Sequence, residues 1–317
     1  MKIKVSTSRE INLVDTLNFI KRTFEWDNEE TYKTLEAKYH MLIQKELIDR
    51  LEIVDSSNKT MASCLIIFKK ILTCNHQISF LSQVCVSKEY RNRGLAKKLI
   101  QSANEIELAR FSKGSIVIAR KSIGDFYSKY GYYSFSPFTH TDFKGLPKSY
   151  KITNLDFFSN PENFVEIFSQ LYDEKSIEIA GTLFRDELDW KMLIMDRNKL
   201  QIDIFVINLG NIVTGYLIKH QDKIIELIVR KLITNEDLII SKELEDVNTV
   251  QLPSGSNYYR LTSGINIKKQ RLTPNAGHLF KNLSKDRTTC QWCPATYQDS
   301  NYHVPENQFE LHFLDQW

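Results

Sequence analysis

Between residues 76 and 114 the hydrophobic pattern changes period, and six residues, RNRGLA (91–96), sit at the change. HQISFLSQVCV (76–86) reads as a strand. From Gly94 onward Leu95, Leu99, Ala103, Ile106 and Arg110 mark one stripe of a helix, with Gly114 placed as its stop. A strand that feeds a short basic loop and then a helix brings unpaired backbone N–H groups and the positive end of a helix dipole to one point. That point suits a phosphate. Glycine at 94 lets the backbone approach an anion and Ala96 keeps a second approach point small, while Arg91, Arg93, Lys97 and Lys98 add charge around them. A pyrophosphate is the natural guest. The stretch lacks the three glycines of the dinucleotide fingerprint and the Gly-Lys-Ser/Thr ending of a phosphate loop. The plain alternative is a helix start with solvated basic residues.

The totals narrow the class. A chain of 317 residues with 42% hydrophobic and 26% charged residues has the composition of one large globular domain or two ordinary ones. A net charge of +3 with no basic tail argues against a nucleic-acid partner. The longest apolar runs, such as CLIIF (64–68), are too short for a membrane span, and MKIKVSTSRE lacks the apolar core of a signal peptide. A cytoplasmic location is therefore expected. Five cysteines, an odd number with two of them in strand-like runs, do not read as a disulfide framework.

Around the junction the elements follow in a regular order. KIKVS (2–6) reads as a strand, and 9–49 as two helices broken near Asp27-Asn28. LEIVD (51–55), MASCLIIFKKIL (61–72) and the strand at 76–86 form an antiparallel meander. After the long helix come SIVIAR (115–120) as a strand, IGDFYSKY (123–130) as a short helix ending at Gly131, and YYSFSPF (132–138) as a strand. The order β-α-α-β-β-β-α-β-α-β implies an α/β fold, a mixed sheet with helices on both faces. Residues 141–160 read as a connector, Pro161 as a helix start, and helix is expected to about Arg197. QIDIFVINL, IVTGYLIKH and IIELIVR then form a second meander with the pattern of the first.

VSKEYRNRGLAKKLI (86–100), followed by FYSKYGYYSF (126–135), resembles the GNAT superfamily of acyl-CoA-dependent N-acyltransferases. The family motif is Arg/Gln-x-x-Gly-x-Gly/Ala after the fourth strand; the second signature is an aromatic–Tyr pair, three residues, then Gly and an aromatic. The resemblance covers residues 1–140. Lys88 stands where a proline is common, and Arg120 about where the family has an asparagine.

The resemblance implies direct transfer from acetyl-CoA to an amine: an amino sugar, a small amine or a peptide amine. The implied donor-binding residues are Val84, Cys85 and Val86, whose backbone N–H groups would hold the thioester carbonyl, and Arg91, Asn92, Arg93, Gly94, Leu95, Ala96 and Lys97 around the pyrophosphate. Tyr127 would be the general acid for the departing thiolate, the alternative being a packing aromatic. The fourth strand has no glutamate to serve as base; His76, His140, Glu29 and a water chain stay open. Cys85 suggests a covalent route only weakly, because a strand cysteine is often a small buried hydrophobe. No metal is expected to take part, and an oligomer is compatible with the sequence. The competing class is a non-catalytic CoA-binding or scaffold protein that keeps the fold.

The second half, from LYDEKSIEIAGTLFRDELDW through IIELIVR, resembles the degenerate second acetyltransferase-like domain of Eis-type tandem enzymes. KLITNEDL follows Arg230 in place of the pyrophosphate motif, so this domain is not expected to bind CoA; the resemblance implies that it helps wall the acceptor cleft. The expected organisation is a GNAT domain at 1–145, a degenerate GNAT-like α+β domain at 155–275 and a tail at 276–317. In Eis-type chains the C-terminal carboxylate can act as base, which here would be that of Trp317. Cys290, Cys293, His303 and His312 are zinc-ligand types, but the two histidines are spaced outside the usual finger pattern.

Overall fold

The computed structural model describes residues 1–317 except 26–28, 73–74, 119–123, 135–138, 177–181, 199, 235, 253–269, 272–277 and 284–317. Its elements begin with β1 (Lys2–Ser6), α1 (Leu13–Phe24), α2 (Glu29–Gln44), β2 (Ile48–Val54), β3 (Thr60–Lys70), β4 (Gln77–Val86) and α3 (Leu95–Ala109). There follow β5 (Gly114–Ile118), α4 (Gly124–Ser128), β6 (Tyr133–Ser134), β7 (Thr139–Asp142), β8 (Leu146–Pro147), β9 (Tyr150–Asn154), α5 (Phe164–Ser176) and α6 (Glu187–Met195). The chain continues through β10 (Ile202–Leu209), β11 (Ile212–His220), β12 (Lys223–Val229), β13 (Leu238–Ile239), β14 (Thr249–Leu252), β15 (Gln270–Arg271) and β16 (His278–Asn282). They divide into two compact units.

The first unit holds the sheet β1-β2-β3-β4-β5-β16-β6, in which β4 and β5 run parallel. All of β2 is buried, as expected of a strand covered on both faces. On one face Leu51, Ile53, Cys64, Ile66 and Leu81 pack against Leu95, Leu99 and Ala103 of α3. The alternate residues Ile48, Arg50, Glu52 and Leu65 are buried on the other face, where α1 and α2 meet β4 and β2. The expected element order through residue 134 matches.

Three expectations need correction. Gly114 does not stop α3; it opens β5. Arg110 caps the helix, Phe111 adopts φ 60, and the N–H groups of Phe111 and Ser112 close back on Leu108 and Glu107. This is a Schellman closure with a phenylalanine where glycine is usual. His278–Asn282, expected in the tail, is a strand of the first sheet, paired with both β5 and β6. Residues 141–160 are not a bare connector: β7 and β9 are strands of the second sheet, so that sheet begins before the expected boundary at 145. All three errors share a cause, since strand pairing between distant segments leaves little local trace.

The second unit holds the sheet β15-β7-β14-β12-β11-β10-β9 and a two-stranded pair of β13 with β8. Phe168 of α5, Trp190 of α6 and Tyr216 and Ile218 of β11 share one core, while Phe205, Leu217, Leu227, Val229 and Leu244 form another. No helix among the described residues is long and apolar enough to cross a membrane.

Candidate active site

The expected acyl site lies at the end of β4, where the strand is deformed. Ser63 pairs with Cys85 and Leu65 with Ser82, so Gln83 and Val84 together oppose Cys64. This is a β-bulge, and Gln83 takes φ 52 within it. On its other side β4 pairs with β5 only from Ser79 to Leu81. Among the described residues no strand pairs that edge from Ser82 to Val86. The Ser87 N–H donates to the Met61 carbonyl, so strand alternation turns the N–H and C=O of Val86 away from β3, toward the open edge. Val84 stands one pleat back. Cys85 faces the β3 ladder, so it contributes least to an oxyanion site made of backbone N–H groups.

Beyond Val86 a short turn at Lys88–Tyr90 leads through Arg91 and Asn92, the latter at φ 62, to Gly94 at φ 73. Gly94 is the N-cap of α3, and no side chain caps the helix. The contrast with other helices is informative. Asn12 caps α1 by accepting the Asp15 N–H at 3.1 Å, and Asp186 forms a capping box with Asp189 on α6. On α3 the N–H groups of Leu95, Ala96 and Lys97 are left without an intrahelical partner. A Cβ at Gly94 would meet nothing within 4 Å, so the space over this turn is open and the positive φ sets the glycine requirement.

The surrounding charge is unbalanced. No acidic residue lies in the first turn of α3. Arg91, Arg93, Lys97 and Lys98 form no ion pair with a described residue, although the Arg91 Nε donates to the Val86 carbonyl at 3.3 Å and Arg93 lies 5.4 Å over the Tyr90 ring. Cations at the positive end of a helix dipole are unfavourable by about 0.3–1 kcal/mol each. An anion reverses the sign of that term. The Leu95 side chain is buried in the core, so its part in such a site is its N–H alone.

Tyr127, on α4, is 4% exposed and packs edge-on against Tyr132 at 5.8 Å. No described residue hydrogen-bonds its hydroxyl. Burial pushes its pKa well above that of an ordinary phenol, with smaller contributions from Cys64 and Cys85, whose thiols face the bulged end of β4. Burial likewise pushes the Cys85 thiol up to about 12, so it is a neutral SH group and a poor nucleophile.

Of the residues open as general base, His76 precedes β4 at the end opposite Val86, about 30 Å away along a ten-residue strand. Glu29 is exposed at the start of α2 and pairs with Lys21 at 3.4 Å, and His140 is on β7 of the second unit. Arg120, Cys290, Cys293, His303, His312 and Trp317 lie outside the described residues.

Two features escaped the sequence reading. Tyr39, from α2, is buried and hydrogen-bonds the side chains of Ser82 and Gln83, tying the bulge to the helical layer. Glu107, near the end of α3, is fully buried; the hydroxyls of Ser79 and Ser115 donate to its Oε1 at 2.7 and 2.6 Å, and its Oε2 has no partner. The helical stripe would have revealed Glu107 as an acid in a core register, one position after Ile106.

Residues 55–134 match the family model described as an acetyltransferase (GNAT) domain. The first unit carries a GNAT domain. The match takes in β3, β4, the RNRGLA turn, α3, β5, α4 and β6. No curated protein matches the chain in sequence. Among solved structures, a GCN5-related N-acetyltransferase from Anabaena variabilis is 16% identical, with TM-score 0.59 over 89% of this chain and 73% of that one. A GCN5-related N-acetyltransferase from Kribbella flavida is 12% identical, with TM-score 0.59 over 89% and 72%. Eis1 from Mycobacterium abscessus is 10% identical, with TM-score 0.54 over 89% and 74%. At these identities the likeness is one of fold. It extends beyond residues 55–134, since each of these structures covers 89% of this chain.

Proposed function

We propose that this chain is an acetyl-CoA-dependent N-acetyltransferase in which an amine attacks the thioester directly. The observation that carries the reading is the conjunction at the end of β4: a strand edge opened by a bulge beside a helix whose N-terminal N–H groups are uncapped and ringed by unpaired cations. The donor set fits the two ends of a CoA thioester. N–H groups of Leu95, Ala96 and Lys97, with Arg91, Asn92 and Arg93, suit the pyrophosphate; Val84 and Val86 suit the thioester carbonyl.

In the reaction the amine nitrogen bonds to the thioester carbon, the carbonyl oxygen takes negative charge toward the β4 edge, and the C–S bond then breaks. The Tyr127 O–H supplies the proton that turns the thiolate into CoA thiol, and the nitrogen sheds its proton to water, from which the Tyr127 phenolate is reprotonated. Burial narrows the pKa gap that stands against this donor. An exposed thiol ionises near 8.5, far below a buried phenol, which would oppose the transfer. In the same surroundings the Cys85 thiol rises to about 12, and a CoA thiolate desolvated there gains basicity for the same reason.

Thermal unfolding with and without CoA and acetyl-CoA tests donor binding, because ligand at a hundred times its Kd stabilises by about 2.7 kcal/mol. No shift at millimolar ligand overturns the donor site. Tyr127→Phe should lower kcat about 100-fold while leaving CoA affinity unchanged. Unchanged turnover removes Tyr127 as the acid.

A further inference from the structure

On the α1 face of the first sheet, opposite α3, is a cleft of about 1170 Å³ bounded by β1, β2, α1 and the Ser87–Glu89 turn. It abuts the bulged end of β4. Ser87, the residue after the strand, lines it; Thr23, also in the lining, lies beside the Cys85 thiol. We propose that this cleft selects an acceptor amine that also carries an anion, a carboxylate or phosphate, held several bonds from the nitrogen. Its assignment as the acceptor cleft rests on the acetyltransferase reading; its preference for anions does not.

The wall of the cleft carries an excess of positive charge. Seven lining side chains are cationic and four are acidic. Three of the four acids are engaged and the fourth, Asp15, acts on the charge of Arg50, while among the cations Lys21 and Lys88 pair with Glu29 and Glu25. Glu52 pairs with Arg50 at 2.7 Å, Glu89 with Lys59 at 3.2 Å, and Glu10 accepts the Thr7 N–H at 2.9 Å. Lys2 and Lys4 of β1 and Arg22 of α1 have no carboxylate within ion-pair distance among the described residues. A polycation would have to displace or outbid these groups.

Arg50 adds a fixed donor. Its side chain is only 7% exposed, yet it lines the cleft. Nη2 is taken by Glu52, and Nε donates to Ser63 Oγ at 3.3 Å. No described residue takes the Nη1 donors, and the side chain lines the cleft. A buried guanidinium fixed through two of its nitrogens is a rigid donor for an oxyanion. Arg50 is on β2 and the acyl site on β4, two strand spacings or about 10 Å apart. Amine and anion should therefore be separated by several bonds.

The test is calorimetric titration of the full chain with CoA in excess, so that the Gly94 turn is already filled. The probes are two matched pairs, 6-aminohexanoate against 6-aminohexanamide and 3-aminopropyl phosphate against 3-aminopropanol, together with spermidine. The charged member of at least one pair should bind about tenfold tighter than its neutral partner, and Lys4→Glu, an exposed change, should erase most of the difference. The pair showing the larger ratio identifies carboxylate or phosphate as the anion. Arg50→Gln with Glu52→Gln, which removes the buried pair without leaving a lone charge, should erase it too. Equal binding within both pairs, or tighter binding of spermidine, overturns the proposal. Failure of the acetyltransferase reading shows separately, as the missing thermal shift with CoA.

Discussion

The two units place a carboxylate in the core in opposite ways. In the second unit Glu226 accepts two hydrogen bonds from the Arg185 guanidinium at 2.8 Å and one from the Tyr216 hydroxyl at 2.6 Å. Arg185 in turn lies 4.3 Å over Tyr172 and 5.3 Å over Trp190. In the first unit Glu107 has only hydroxyl donors, with Lys281 of β16 as a more distant charge, and burial raises its pKa to about 7. One core holds an ion pair and the other a carboxyl poised between its two states. The sheets differ in the same sense. The parallel neighbour of β4 leaves it after Leu81 and a long helix follows, whereas among the described residues β12 is followed by β13, a single 3-10 turn and β14, with no α-helix. The open edge and uncapped turn belong to the first unit, which is also the one that carries the GNAT domain.

The largest effect should come from breaking the ion pair. Arg185→Met leaves Glu226 buried and uncompensated, which should destabilise the second unit by about 3–5 kcal/mol, and adding Glu226→Gln should recover most of it. Urea unfolding read at the tryptophan fluorescence checks this; a loss under 1 kcal/mol would mean that Glu226 does not depend on its partner.

Glu107 sharpens the contrast through pH. Its folded pKa lies above the ordinary value of 4.5, so its contribution to stability is fully present below about 4.5 and is lost as pH rises through about 7. A shift of that size corresponds to about 3 kcal/mol. The groups that face it are Ser79, Ser115, Lys281 and, through Ser115, the Tyr132 hydroxyl. Glu107→Gln should therefore flatten the fall in stability between pH 5 and 8 and leave the protein more stable than the parent at pH 8. Denaturant midpoints across that range give the answer, and an unchanged slope would place the titration elsewhere.

Gly94→Glu attacks the difference in ligand binding. A β-carbon at φ 73 and a carboxylate at the uncapped turn both oppose an anion, so CoA should bind about 100-fold more weakly. Retained affinity would move the donor site away from this turn and end the functional distinction between the units.

Much of the first unit was legible because its signals are local. The period change at Gly94, the stripe from Leu95 to Arg110 and the alternation of β3 and β4 need no partner to be seen. The second meander was legible for the same reason, with turns at Gly210-Asn211 and Gln221 marking its strands. The strand at His278–Asn282 was not, because a five-residue segment is defined only by the β5 and β6 edges that it joins. Nor was the part of Tyr39, which reads as one apolar position of α2 until its hydroxyl is seen to meet Ser82 and Gln83.

By itself the sequence determined the element order of the first unit, the glycine that a left-handed helix cap requires, and the basic residues around it. These follow from dihedral preference and periodicity, which act over a few residues. Only the tertiary structure decided that β4 carries a bulge and parts from β5, that the buried Arg50 lines a cleft while paired with Glu52, and that Glu107 is sealed among hydroxyls while Glu226 meets an arginine. Those outcomes depend on which distant segments share an edge or a core, and hence on the dielectric and the partners each polar group finds there.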